Sequence, residues 1–318
     1  MKLPEGALPL LRCPVCRSRL EWYAATLRCE AGHPNSSFPV VDGVPVLVNE
    51  AKSVFTLAEL ASGGVATATD ASGAHSLLSR IMPDINLNVR APRNYTKLAR
   101  LLRERSTSPR VLVIGGRVLG YGMDRLLQNC PGIELVETDV AFGLRTALIC
   151  DAHDLPFDDA SFDGVIIQAV LECVVDPKRC VEEVHRVLKP NGLVYAETPF
   201  MQQVHAGAYD FTRFTHLGHR YLFRDFSEIE SGVVCGPSMA LCWSVQYFLT
   251  SFTRSRRARQ GIRVLVRLSL FWLKYLDRYL AGKPGSLDAA SGLYFMGTRS
   301  ERTLHPRELV RLYRGIIR

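Results

Sequence analysis

The sequence predicts an α/β chain, a doubly wound and mostly parallel sheet with a small β module ahead of it. Three observations predict it. Asp163–Gln168 (DGVIIQ) and Leu193–Glu197 (LVYAE) read as buried strands on either side of an amphipathic helix and a Gly turn, which is one βαβ unit. Arg110–Ile114 (RVLVI) reads as a strand that runs into a glycine-rich loop, Gly115 to Gly122, and then into a helical stretch, Met123–Asn129. The first forty-eight residues alternate turn signals with short β-prone runs and carry closely spaced cysteines.

Composition sets the frame for these elements. The chain has 318 residues, with 47% hydrophobic and 22% charged residues, ordinary for a globular protein with a substantial core. A net charge of +8 and a pI near 9.1 favour an anionic partner such as nucleic acid, phospholipid or a phosphorylated substrate. Met1–Pro9 lacks a basic region followed by an apolar run, so no secretory signal is expected and a cytoplasmic location is the default. The nine cysteines are an odd number, which favours thiols and metal ligation over a disulfide framework.

Cys13, Cys16, Cys29 and His33 have the spacing C-x2-C-x12-C-x3-H, and Arg17–Arg28 can form the hairpin that brings two knuckles together. Four such ligands make a closed tetrahedral zinc site, structural in kind because no coordination position stays open. Phe38–Leu47 then reads strand, Asp-Gly turn, strand. This module, residues 1–48, resembles the zinc ribbons of the Trm112 type, which end in a similar hairpin and occur beside methyltransferases. Its knuckle spacing is also similar to that at the start of bacterial ribosomal-RNA guanine methyltransferases. Residues 49–94, rich in small and polar residues as far as His75, read as a linker and lead-in. Tyr95–Arg105 reads as a helix with Leu98, Leu101 and Leu102 on one face.

Ile133–Val140 is the next predicted strand and ends in acids. A carboxylate there can accept both hydroxyls of a ribose; Asp139 is the first choice and Glu137 the second. Ala147–Cys150 is a third strand, leading into Asp151-Ala152-His153. The helix Lys178–Leu188 groups Cys180, Val181, Val184, Val187 and Leu188, so Glu182, Glu183 and Arg186 are expected to face water. Lys189-Pro190-Asn191-Gly192 stops it.

The ordered pattern D-x3-LPF-x-D-x-SFD (Asp151–Asp163), then VLE-x-V (Val170–Val174), then E-x2-RVLKPNG (Glu183–Gly192) before a strand resembles the class I S-adenosylmethionine-dependent methyltransferases of the type 11 group. That resemblance implies a seven-stranded, Rossmann-like methyltransferase sheet over residues 95–300, with S-adenosylmethionine as cofactor. It implies that Gly115, Gly116 and Gly120 cradle the methionine half, that Asp151 and Ala152 recognise the adenine edge, and that Gln168 and Ala169 line the sulfonium. Val113 stands where the family has an acid, and Arg117 and Leu119 stand where it has glycines, unless Gly120 and Gly122 take that role. The alternative is therefore a non-catalytic binding protein that keeps the fold.

Past the last parallel strand, Pro199–Thr215 is dense in polar and aromatic groups where an acceptor would sit. His205 is the candidate base, and Tyr209, Asp210 and Arg213 the candidate acceptor-binding residues, with a purely structural Asp210–Arg213 pair as the alternative. His216 and His219 are expected at the surface. Residues 238–282 read as a helical insertion: the apolar Ser238–Thr253 is too short to span a bilayer, and Arg254–Arg267 is strongly basic. A core or lid role, an anionic membrane surface and RNA are the three readings of that segment. Tyr294–Thr298 is expected as the closing strand and residues 301–318 as a basic tail. The acceptor stays open between a small molecule, a glycan or lipid precursor and RNA, and no protein partner can be named.

Overall fold

The structure is a computed structural model that describes residues 2–63 and 82–316. Residues 64–81 of the expected linker and residues 317–318 of the expected tail lie outside the described residues.

The N-terminal module contributes β1 (Leu20–Tyr23), β2 (Thr26–Cys29), β3 (Ser37–Val41) and β4 (Val44–Leu47) as two antiparallel hairpins joined by β2–β3 pairing. A short helix, α1 (Leu57–Ala61), follows; Thr56 and Glu59 form a reciprocal capping box at its start. Next come α2 (Ala91–Arg103), β5 (Arg110–Ile114), α3 (Met123–Asn129), β6 (Glu134–Asp139), β7 (Leu148–Cys150), β8 (Phe162–Gln168), α4 (Pro177–Val187) and β9 (Leu188–Pro199). The chain closes with α5 (His216–Leu222), β10 (Phe226–Cys235), α6 (Pro237–Ser251), α7 (Arg256–Leu270), α8 (Asp277–Leu280), α9 (Pro284–Ala289), β11 (Gly292–Arg299) and α10 (Pro306–Arg311).

The expected doubly wound sheet is present, in the order β7-β6-β5-β8-β9-β11-β10. β7, β6, β5, β8 and β9 are parallel, and β11 runs antiparallel between β9 and β10. The chain leaves β5 in one direction to β6 and returns to its other side with β8, so a crevice opens beyond the carboxyl ends of β5 and β8. The strand count differs from the expected seven. β4 pairs in parallel with β7, Val46 opposite Ile149 and Leu47 opposite Cys150, and the continuous sheet has eleven strands. Without β4, the three-residue β7 would be a bare edge; the module covers it. β10 and α5 were not anticipated, because Phe226–Cys235 mixes Ser, Glu and Gly with apolar residues and shows no clean alternation.

The helices form for local reasons that agree with their packing. α4 starts with Asp176 accepting from the Arg179 N–H at 3.1 Å and with Pro177 in the first turn, and it buries Cys180, Val181, Val184 and Val187. α2 likewise has proline in its first turn and buries Tyr95, Leu98, Ala99 and Leu102. The two helices line different faces of the sheet's core: α4 packs with Phe157, Phe162 and Phe295, α2 with Tyr195, Tyr294 and Met296.

Two side-chain expectations are overturned. Glu183 and Arg186 do not face water. Arg186 donates to both Glu183 oxygens, at 2.8 and 2.7 Å, and to the carbonyls of Leu155 and Phe157, while Glu183 accepts from the Leu155 N–H at 3.0 Å. The E-x2-R spacing thus pins the Leu-Pro-Phe turn, and helical periodicity alone could not show that a buried turn awaited the pair. His216 and His219 are buried, not superficial; His219 packs against Phe223, and burial pushes its pKa down to about 3.

Candidate active site

A cavity of about 360 Å³ lies at the carboxyl ends of β5, β6, β7 and β8. Ile114, Gly115, Thr138, Asp139, Asp151 and Gln168 form its floor, and His205 and Tyr209 stand on its far wall. At the floor the backbone turns sharply. Gly115 has φ +79°, and the N–H groups of Gly115 and Gly116 both donate to the Thr138 carbonyl, at 2.9 and 2.8 Å. A Cβ on Gly115 would sit 2.4 Å from Val170 Cγ2, so only glycine fits both the conformation and the space. Gly116 abuts Glu137 and Gly120 abuts Gln168; neither is on the cavity wall, which Arg117 and Val118 line in this loop. Gly122, at φ +88°, caps α3 against the start of α2.

Asp139 ends β6 with its carboxylate turned back on the loop. Oδ2 accepts from the Arg117 N–H at 3.2 Å and Oδ1 from the Ala141 N–H at 3.0 Å. Burial raises its pKa against those donors. Glu137, the second choice, pairs with Arg145 at 2.6 Å and is not on the cavity wall. Asp151 accepts from the His153 N–H and Nδ1–H, and from the Ser53 hydroxyl. Burial would raise its pKa, but these donors hold it below the usual range. His153 Nε2 in turn accepts from the Asp176 N–H at 3.1 Å, which fixes the Nδ1–H tautomer. Ala152 is beside it on the wall.

Gln168 ends β8 above a buried network. It donates to Glu197 at 2.8 Å and accepts from the Tyr95 hydroxyl at 3.2 Å. Glu197 also accepts from Tyr195 at 2.5 Å and Asn88 at 3.0 Å, and burial pushes its pKa up to about 7. Ala169, next to Gln168, has φ +54°, a left-handed conformation that costs a non-glycine residue about 1–3 kcal/mol. The sequence reading missed Glu197 as a site-supporting residue; a single acid within the apolar run LVYAE was the available signal.

On the far wall His205 lies 3.7 Å from Glu172 through Nε2 and 3.6 Å from Asp210 through Nδ1. The Glu172 carboxylate, outweighing burial, raises the His205 pKa. Glu172 is fully buried, and neither of its oxygens has a hydrogen-bond partner among the described residues. Asp210 accepts from both Arg213 terminal nitrogens and from the N–H groups of His205 and Ala206. Arg213 also donates to the Gln202 and Gln203 carbonyls, so this pair shapes the loop that presents His205. Tyr209 packs on Phe55, with ring centroids 5.5 Å apart. Val54 and Phe55 line the cavity, so residues expected to be linker supply part of its wall.

At the other end of the chain, Cys13, Cys16, Cys29 and His33 place their ligand atoms within 4.8 Å of one another. His33 Nδ1 lies 2.8 Å from the Pro34 carbonyl; donating there leaves Nε2 for the sulfur cluster, 3.2 Å from Cys13 Sγ.

The doubly wound, Rossmann-like sheet in this strand order leaves a glycine-floored crevice at its carboxyl ends. Comparison with known proteins finds a likeness over the same stretch: residues 115–196 match the family model described as "Methyltransferase domain". It is 34% identical over 115 residues to a demethylmenaquinone methyltransferase of Clavibacter sepedonicus, covering 31% of this chain and 46% of that relative. It is 52% identical over 44 residues to a chloroplastic 2-phytyl-1,4-beta-naphthoquinone methyltransferase of Arabidopsis thaliana, covering 14% and 17%. The chain thus spans less than half the length of these curated relatives. Among solved structures, the 1,6-didemethyltoxoflavin-N1-methyltransferase of Burkholderia thailandensis aligns over 89% of this chain and 100% of its own, at 13% identity and a TM-score of 0.41.

Proposed function

We propose that this protein is an S-adenosylmethionine-dependent methyltransferase that acts on an apolar acceptor. The observation that carries the reading is the single cavity bounded by Gly115, Asp139, Asp151, Ala152 and Gln168 on one side and by His205 and Tyr209 on the other. The residues present fit the cofactor. Gly115 leaves the space that any Cβ would fill, and Asp139, Asp151 and Ala152 line the same cavity, where this reading gives Asp139 the ribose and Asp151 and Ala152 the adenine edge. The bound sulfonium supplies an activated methyl group. The chain's own residues hold the two reactants in line and keep water out, and proximity of this kind is a large part of a barrier reduction.

Phe55, Val118, Val174, Val175 and Tyr209 also line the cavity, which favours an apolar or aromatic acceptor. The curated relatives act on quinone-type rings by name, but they match this chain over short stretches; the support for an apolar acceptor is the wall itself. On this reading His205, which lines the cavity, takes a proton from an acceptor that must lose one. Asp210 and Arg213 act on the acceptor through the shape of the His205 loop.

Calorimetric titration with S-adenosylmethionine and S-adenosylhomocysteine tests the reading. One binding site per chain is expected, and no heat at millimolar cofactor would refute it. Arg117, which stands where the family has a glycine and lines the cavity, favours the second reading: a methyltransferase fold that binds without turnover. Cofactor binding without methyl transfer to any of a panel of hydrophobic acceptors would select it.

The N-terminal cluster fits a structural zinc. Tetrahedral Zn–S bonds of about 2.3 Å require donor separations near about 3.8 Å, and a cluster within 4.8 Å needs little movement to meet that. Metal analysis of the purified chain is expected to find about one equivalent of zinc. Cys13→Ser/Cys16→Ser should lose it and destabilise the module, which is too small to fold on its own core.

A further inference from the structure

Ser231 to Leu276 contains seven cationic residues and no acid. In the structure this stretch holds α6 and α7, which sit beside the acceptor wall. The Tyr247 hydroxyl on α6 donates to the Val204 carbonyl at 2.7 Å, and the Trp243 ring lies 6.3 Å from His205. α7 packs on α6 through Cys242, whose thiol meets the Leu270 carbonyl.

Of α7, only Val266 is buried. Leu265, Leu268, Trp272, Leu276 and Tyr279 recur every three or four residues and stay 47–70% exposed. Arg256, Arg259, Arg263 and Arg267 recur at the same interval. At about 100° per residue from Val266, Leu265 and Leu268 lie toward the outward face with Arg257 beside them, Arg256, Arg259, Arg263 and Arg267 lie on the Val266 side, and Trp272, Leu276 and Tyr279 follow the end of α7. None of these arginines, nor Arg254 or Arg257, forms an ion pair with an acid among the described residues. Phe248 on α6 and Phe252 at its C-cap are also exposed, their rings 5.2 Å apart. No described helix is long and apolar enough to cross a membrane.

We propose that α6 and α7 form a docking face for the surface of an anionic lipid bilayer, with the arginines on the headgroups and the Leu, Phe, Trp and Tyr side chains in the interface. Charge complementarity requires an anionic partner, and the aliphatic members of the stripe, Leu265, Leu268 and Leu276, favour lipid over nucleic acid, whose phosphates and sugars offer them nothing. Docked this way, the His205 wall of the cavity faces the interface, and the acceptor class becomes a molecule dissolved in the bilayer by a long apolar chain. That last clause rests on the methyltransferase reading; the docking itself does not.

The test is co-sedimentation of the full chain with phosphatidylcholine vesicles, with and without phosphatidylglycerol, and it uses no cofactor. Binding is expected only to the anionic vesicles and should weaken with salt. Arg256→Gln/Arg259→Gln should weaken it about 25-fold, at about fivefold per cation. Leu268→Ser/Trp272→Ser should weaken it at least about tenfold, with an unchanged circular-dichroism melt showing that the fold is intact. No binding to anionic vesicles would overturn the proposal, as would wild-type binding by the Leu268/Trp272 variant. Tighter binding of an unstructured RNA than of the vesicles at equal salt would also overturn it and transfer the face to nucleic acid. Vesicle binding in a chain that takes no cofactor would sink the methyltransferase reading and leave the docking face standing.

Discussion

Removing the Glu183 carboxylate, as in Glu183→Ala, tests how the Asp151 end of the cavity is held. Glu183 accepts two bonds from Arg186, at 2.8 and 2.7 Å, one from Arg17 at 2.7 Å and one from the Leu155 N–H at 3.0 Å. The Glu183 and Arg186 side chains are only 8% and 12% exposed, so solvent cannot replace the missing partner. Breaking one member of a buried pair costs about 3–5 kcal/mol, because the other charge is left behind. Against a total stability of about 5–15 kcal/mol that is a large fraction. Arg186 would keep the Leu155 and Phe157 carbonyls and the exposed Asp159, which places the expected loss at the lower end, about 3 kcal/mol. Leu155 follows Asp151 and Ala152 by a few residues, so a loosened turn should also cost about tenfold in cofactor affinity, roughly 1.4 kcal/mol. Urea unfolding gives the first quantity and calorimetry the second. A double-mutant cycle with Arg186→Ala should show a coupling of about 1–3 kcal/mol. A loss under about 1 kcal/mol with no coupling would mean that the pair is solvated and that the turn is held by its backbone alone.

Three further outcomes are expected. Gly115→Ala must adopt φ +79° and meet Val170 Cγ2 at 2.4 Å, so it should lower cofactor affinity at least about tenfold while bound zinc is unchanged; wild-type calorimetry would contradict the cradle. Glu197 titrates near 7 when folded and near about 4.3 when unfolded, so the native state binds the extra proton and stability should fall by up to about 3 kcal/mol as pH rises from 5 to 8. Glu197→Gln should flatten that slope in urea titrations, and a parallel curve would refute it. Because Glu172 raises the His205 pKa, methyl transfer that needs His205 as base should accelerate as pH climbs past that raised value; His205→Asn should lose the pH dependence, and an unaltered profile would remove His205 from proton transfer.

Much of this was legible in the chain itself. The βαβ unit from Asp163 to Glu197, the glycine turn at Gly115 and the strand ending in Asp139 follow from local rules: periodicity, helix stops and the demand for a backbone without Cβ. Cys13, Cys16, Cys29 and His33 were legible for the same reason, since ligand spacing is a property of neighbouring residues. What only the tertiary structure decided depends on partners far apart in sequence. Arg186 reaches Leu155 and Phe157, Ser53 reaches Asp151, and Gln168 rests on Glu197. β4 joins the sheet because β7 offers it an open edge. Helical periodicity sends Glu183 and Arg186 to the solvent side, and only the turn packed over that side makes it an interior. Burial of a polar side chain is set by what lies opposite it, and a sequence read locally carries the face of each element but not the neighbour that covers it.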